Sequence, residues 1–277
     1  VIVGFQSMMR KLLGSMALVS VLVMTGCANV HTTQSGAIGI DRAQYMSSMV
    51  PEQQLNQEAG LQYNETIKQA KAKNALDSNS AQVARVRKIS DRLVSQVGVF
   101  RPDAAKWNWE VHVLSSDDVN AWCMPGGKMA VYTGLLNTIK PTDDELAAVM
   151  GHEIAHALRE HSRERISQQM VTNIGLSVLS MATGVSTDLG GKLTDVMFTL
   201  PNSRTHESEA DLMGVELAAR AGFDPRAAVT LWQKMGAASS NSSPEFLSTH
   251  PSADTRISDL EVAARRVMPL YEQAKAK

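Results

Sequence analysis

The sequence predicts an α+β domain that is predominantly helical. Three observations carry this. Residues 58–98 place Val83, Val86, Ile89, Leu93 and Val97 at helical spacing. Thr142 followed by Glu145 has the spacing of a capping box, Asp143, Asp144 and Glu145 suit a positive helix start, and Leu146, Val149 and Met150 continue as an apolar stripe. Only two short runs, 107–113 and 128–133, are rich in β-forming residues, which predicts a small sheet.

Taken in order, Arg10-Lys11 precede the apolar run Leu12 to Met24, and Thr25-Gly26 lead into Cys27. This is the pattern of a secretory signal with a lipobox, so residues 1–26 are expected to be a lipoprotein signal peptide and Cys27 the lipidated first mature residue. Met24 stands where leucine is usual, and Met8 or Met9 gives a tidier start than Val1. The alternative, a short anchor that is never cleaved, fits the Gly26-Cys27 junction less well. Ala28, not aspartate, follows the cysteine, the sorting pattern that favours the outer membrane of a Gram-negative envelope. Residues 27–57 are polar and weakly patterned, suiting a lipidated tether, which leaves 58–277 as the folded domain.

After the helical stretch and the two β-rich runs comes the helix that starts at Thr142. Residues 166–184 are apolar but interrupted by Gln168, Gln169, Thr172, Asn173, Ser177 and Ser180. They are too polar for a membrane span and are expected as a core or amphipathic helix. Ser186 to Lys192, with Gly190 and Gly191, is expected to be a flexible connection and a candidate lid. A further helix starts near Ser203 or Thr205 and ends at Gly222. Asp224-Pro225 caps another, and the last follows Pro251.

Composition bounds the class. A net charge of −1 gives no hint of nucleic-acid binding, and roughly 250 residues after the signal suffice for one domain. With only two cysteines and one expected to carry lipid, Cys123 has no internal partner. It is either a buried core residue or a metal-directed or redox-sensitive thiol.

The chemistry concentrates in His152-Glu153-Ile154-Ala155-His156. Four residues is about one helical turn, so both imidazoles project from one face and can share a metal ion, with Glu153 beside the first. Uncharged neighbours on both sides predict a buried helix, where imidazoles and carboxylates persist only when paired or metal-bound. A catalytic zinc site usually takes three protein ligands, and the best third is Glu207, with Asp211 at i+4 on the same face to orient a histidine. Glu209 points about 200° away from Glu207 and reads as part of a solvated acidic face. His161 and His206 read as structural or surface residues.

This combination resembles a known family. HExxH, the later Glu207 to Asp211 segment, Thr249-His250-Pro251, and an upstream Asn120-Ala121-Trp122 with Pro125-Gly126-Gly127 look like the minigluzincin zinc metallopeptidases, metallopeptidase family forty-eight, over roughly residues 60–265. Within that family the chain most resembles the periplasmic lipoprotein members. The resemblance implies one zinc ion per chain held by His152, His156 and Glu207, with Glu153 as general base and Asp211 behind the ligands. It also implies that His250 either stabilises the oxyanion or occupies the metal in a resting form, and that Arg256 corresponds to an arginine often found near that histidine, its bland alternative being an exposed charge on a helix. A donor such as His250 or Arg256 would stabilise the oxyanion. Asn120, Ala121 and Trp122 match a segment that ends as an edge strand to which an extended peptide adds.

The expected function is zinc-dependent hydrolysis of peptide bonds in misfolded or unassembled cell-envelope proteins. The expected partners are those unfolded polypeptides, outer-membrane lipid through Cys27, and the outer-membrane protein assembly machinery. The alternative from another class is an envelope chaperone or assembly factor whose protease site is latent behind a plug. A zinc-binding protein without turnover has no use for a base at Glu153.

Overall fold

A computed structural model describes residues 27–177, 188–238, 245–251 and 255–276. The expected signal segment, 1–26, and part of the apolar stretch, 178–184, lie outside these residues. The segment expected as a tether is packed instead. Strands β1 (Cys27–Val30) and β2 (Gln44–Ser47) pair antiparallel, and Ile38, Ile40, Met46 and Val50 are buried. The Ser47 amide donates to Ser167 Oγ at 3.0 Å, and the amides of Ala37 and Ile38 donate to the Glu216 carboxylate at 2.8 Å. These three amides find their partners more than a hundred residues away, which composition cannot reveal.

The first helical stretch forms two helices, α1 (Glu52–Ala72) and α2 (Ser80–Val94). The chain turns between them through Asn74 and Asp77, both left-handed, and Asn79 starts α2 by accepting the amides of Ala81 and Gln82 at 3.1 Å. Its expected face, Val83, Val86, Ile89 and Leu93, is buried.

Three strands follow: β3 (Glu110–Leu114), β4 (Ala121–Met124) and β5 (Lys128–Tyr132). Their spatial order is β3-β5-β4, with β3 parallel and β4 antiparallel to β5, so β4 is an edge strand as expected. The turn at Pro125-Gly126-Gly127 needs φ near +80° at both glycines (79° and 83°), and a Cβ on Gly127 would come within 2.7 Å of the Trp109 ring. Side chains alternate along β4: Ala121 and Cys123 enter the large core, Trp122 and Met124 a smaller one built on α1. Both faces of the strand are therefore buried.

Helix α3 (Asp143–Leu158) runs through the large core, with every residue from Glu145 to Leu158 buried. Its capping box forms as read: the Glu145 amide donates to Thr142 Oγ1 at 3.2 Å and the Thr142 amide to Glu145 Oε2 at 2.8 Å. Arg159 and the left-handed Glu160 (φ 52°) then break the axis, and α4 (His161–Ser177) leaves in a new direction. Where a flexible connection was expected, Asp188 caps a short helix, α5 (Leu189–Thr194), by accepting the Gly191 amide at 2.9 Å, and a π-helical turn, Asp195–Thr199, continues it. Helix α6 (Arg204–Arg220) packs along α3, capped by Ser203 at its start and followed by left-handed Gly222. Helices α7 (Ala227–Ala238), α8 (Glu245–Thr249) and α9 (Arg256–Lys275) complete the chain. Among the described residues, no helix is long and apolar enough to cross a membrane.

Candidate metal centre

The crossing of α3 and α6 builds the centre. Two glycines meet there: a Cβ on Gly151 would lie 2.9 Å from the Gly214 carbonyl oxygen, and one on Gly214 would lie 2.7 Å from the His152 amide. With no side chains between them the backbones touch, and Glu207 and Asp211, on the preceding turns of α6, reach the histidines of α3. His152, His156, Glu207 and His250 then offer ligand atoms that all lie within 4.8 Å of one another, and all four residues are buried.

His152 Nδ1 donates to Asp211 Oδ1 at 3.0 Å, which fixes its ring and turns Nε2 inward. His156 Nε2 lies 3.0 Å from His152 Nε2 and 3.3 Å from Glu207 Oε1. Burial opposes a charge on His152, but its hydrogen bonds to Asp211 and Glu207 outweigh this and lift its pKa to about 9, whereas burial holds His156 down to about 4. Burial likewise opposes ionisation of Glu207, yet His250 and His152 hold it well below the usual carboxylate range. The pocket thus favours a cation between the two Nε2 atoms and Glu207.

Zinc fits this donor set. Two imidazoles and a carboxylate are a common catalytic ligand group, and two buried oxygens here, Glu207 Oε1 and Glu153 Oε1, have no hydrogen-bond partner. Burial pushes Glu153 up to about 8. Its Oε1 lies 3.3 Å from His250 Nε2. His250 donates from Nδ1 to the Phe246 carbonyl at 3.1 Å and stacks on the Phe246 ring at 4.3 Å, so α8 holds its Nε2 toward the cluster.

Arg256 is not the exposed charge of the bland reading. It is buried, its guanidinium lies 3.2 Å over the Trp232 ring, and NH2 donates to Asp211 Oδ1 at 2.7 Å and Glu207 Oε2 at 3.2 Å. Arg256 thus shares Asp211 Oδ1 with His152 and holds Glu207 at Oε2. Cys123 is a buried free thiol on β4, its pKa raised by burial. Asn120 precedes the same strand, its Oδ1 accepting the Ala121 amide at 2.9 Å.

The cleft along β4 is narrow. Trp122 packs edge-on against Phe198 at 5.6 Å, and the space between β4, Glu153, His250 and the 196–198 turn is only about 20 Å³. That is room for about one water molecule and far too little for a peptide. Arg165 of α4 pins this cover: NH1 donates to the Val196 carbonyl at 2.8 Å and Asn202 Oδ1 at 2.9 Å, and NH2 to the carbonyls of Leu200 and Pro201 at 3.0 Å.

Glu209 overturns its expectation. It is buried, not solvated, and its carboxylate receives Arg42, Arg159 and His161. His161 Nδ1 lies 2.9 Å from His156 Nδ1, and His206 is buried against Glu164 at 3.0 Å. Helical geometry put His161 off the ligand face, but the break at Glu160 swings it back. A run of charged residues straight after the motif, Arg159 to Arg165, was the one available signal for this network.

Comparison with known proteins agrees with the motifs. The sequence pattern of Peptidase family M48 matches residues 80–264. The mitochondrial metalloendopeptidase OMA1 of Arabidopsis thaliana is 38% identical over 173 residues, covering 61% of this chain and 35% of the relative. The OMA1 of Schizosaccharomyces pombe is 40% identical over 159 residues, covering 55% and 46%. The Beta-barrel assembly-enhancing protease of Escherichia coli is 28% identical over 205 residues, covering 68% and 40%. The chain therefore spans 35% to 46% of the length of these curated relatives.

Proposed function

Because the chain belongs to Peptidase family M48, we propose that it is a zinc-dependent endopeptidase acting on extended polypeptide. The observation that carries the reading is the buried cluster of His152, His156 and Glu207 with Glu153 one residue from the first ligand and an edge strand alongside. Zinc held there would supply Lewis-acid polarisation of a peptide carbonyl and lower the pKa of a water toward neutrality. Glu153 takes the proton of the attacking water at its unpartnered Oε1 and passes it to the leaving amine. Asp211 and Arg256 keep His152 and Glu207 in place. His250, held from α8 with Nε2 beside Glu153, is the donor proposed for the developing oxyanion charge. A peptide adds to β4 through main-chain hydrogen bonds, which selects unfolded over folded protein.

The proposed substrates are misfolded or unassembled envelope proteins. Relatives named for β-barrel assembly favour this, as does the lipobox at Cys27, through which the chain would be anchored to the outer membrane facing the periplasm. Engagement with the outer-membrane assembly machinery belongs to the same proposal. Loss of the protein from the membrane fraction in Cys27→Ser is the test of the anchor. A second reading, an assembly factor whose protease is latent, is favoured by the narrowness of the cleft and by His250 lying among the ligands.

Comparison of wild type and Glu153→Gln on an unfolded protein substrate, with zinc content measured on both, tests the activity. The variant keeps its zinc and loses at least about 100-fold in rate. Loss of zinc by Glu153→Gln, or equal cleavage by both proteins, refutes the assignment. A Glu153→Gln chain that still replaces the wild type in cells favours the assembly factor.

A further inference from the structure

Each histidine of the HExxH pair has one nitrogen inside the cluster and one outside it. For His152 the outer nitrogen meets a carboxylate directly, Asp211. For His156 it meets another histidine. His156 Nδ1 lies 2.9 Å from His161 Nδ1, and the far nitrogen of His161, Nε2, lies 3.0 Å from Glu209 Oε2.

With His161 neutral, these contacts leave one consistent placement of hydrogens. An ionised carboxylate only accepts, so His161 carries its proton on Nε2, and a neutral imidazole protonated there has a bare Nδ1. The single proton between the two Nδ1 atoms then belongs to His156. Its Nε2 is left with a lone pair, aimed toward His152 Nε2 and Glu207 Oε1.

The rest of the network keeps this placement from reversing. Glu209 is ionised between two guanidinium groups: Arg42 Nε donates to Oε1 at 2.5 Å and Arg159 NH2 to Oε2 at 2.8 Å. The His161 ring stacks on His206 at 4.3 Å and 14°, and His206 Nε2 bonds Glu164, which Arg42 grips through two bonds of 2.7 Å. The ring cannot flip without breaking its buried hydrogen bond to Glu209, nor swing without losing its stacking on His206.

We propose that His161 and Glu209 are positioning residues for the metal ligand His156, and that Arg42, from the segment between β1 and β2, completes the relay. It rests on the zinc reading above. The two ligands are thus oriented unequally, His152 by one carboxylate and His156 through a histidine to a carboxylate held from the N-terminal segment.

Zinc affinity, measured by competition with a chromophoric chelator on the full chain and set beside the melting temperature of the metal-free protein, tests this. His161→Phe keeps the ring and removes both nitrogens, and weakens zinc binding about 10- to 100-fold. His161→Asn offers an oxygen near the place of Nδ1 and returns affinity to within about fivefold of wild type, although it empties ring volume and melts lower than the Phe variant. A merely structural role predicts the reverse order, with affinity following the melting temperature, and that result overturns the proposal. So does His161→Phe binding zinc within about twofold of wild type.

Nitrogen-15 spectra of the zinc-loaded wild type give a reading that needs no variant. His161 is expected with Nε2 protonated and Nδ1 bare, and the opposite or doubly protonated form overturns the relay. A wild type that binds no zinc, or binds it unchanged in His152→Ala and His156→Ala, refutes the zinc reading itself. Normal zinc binding with an indifferent His161 refutes the relay alone.

Discussion

Gly214→Ala tests the packing that assembles the centre. The new Cβ would stand 2.7 Å from the His152 amide nitrogen and 2.9 Å from both His152 Cα and the Gly151 carbonyl carbon, where ordinary contact begins at 3.4 Å. All three atoms are backbone of α3, so no rotamer relieves the clash and the helices must separate by about 0.7 Å, more than the roughly 0.5 Å within which a functional constellation must be held. Overpacking of this kind costs about 1–3 kcal/mol, which for a domain this size lowers the melting temperature by roughly 2–12 °C. Because Asp211 and Glu207 lie three and seven residues before Gly214 on the same face, the shift draws both carboxylates from the histidines. Zinc affinity should fall at least about tenfold beyond what the melting change explains. Gly60→Ala in α1, whose Cβ would have nothing within 4 Å, is the control and should be neutral or gain up to about 1 kcal/mol. The measurements are thermal melts with chelator and with zinc, together with chelator competition. A Gly214→Ala protein that melts within about 1 °C of wild type and binds zinc within about twofold refutes the reasoning.

Three further outcomes follow from the geometry. Glu207→Gln should lose most bound zinc while Asp211→Asn loses about 10- to 100-fold in affinity, and metal analysis showing the opposite order would remove Glu207 from the ligand set. Burial opposes ionisation of Glu164, but hydrogen bonds from Arg42 and His206 hold its carboxyl at about 2. A depressed carboxyl stabilises the fold above its ordinary value of 4.5 and loses that contribution, on the order of 3 kcal/mol, as pH falls toward 2. In Arg42→Met the carboxyl is less depressed, so the fall in urea midpoint between about pH 4.5 and 2 should be shallower than in wild type, and limbs of equal slope would contradict the pairing. Arg165→Gln removes the donors that pin residues 196–202, so hydrogen exchange there should speed up ahead of the rest of the chain; unchanged exchange would mean the cover is held by packing alone.

What the sequence by itself determined is whatever depends on neighbours within a turn or two. The spacing of His152 and His156, the capping box at Thr142 and Glu145, and the i+4 relation of Glu207 and Asp211 are properties of one helix, and each appears in the fold where the spacing put it. The edge position of β4 came from family resemblance, because strand order is set by pairings that a single strand does not encode. Tertiary structure decided the rest. Glu209 is buried because Arg42, Arg159 and His161 converge on it from distant segments, and His161 meets His156 because the left-handed turn at Glu160 ends the helix and folds α4 back. Residues 27–57 look like a tether because Ile38, Ile40, Met46 and Val50 follow no period, and they are buried only because helices α4 and α6 supply the opposing surface. Local rules fix which atoms a helix presents. Which charges those atoms meet depends on segments brought together from across the chain, as Arg42 and Glu209 are, and no local rule carries that information.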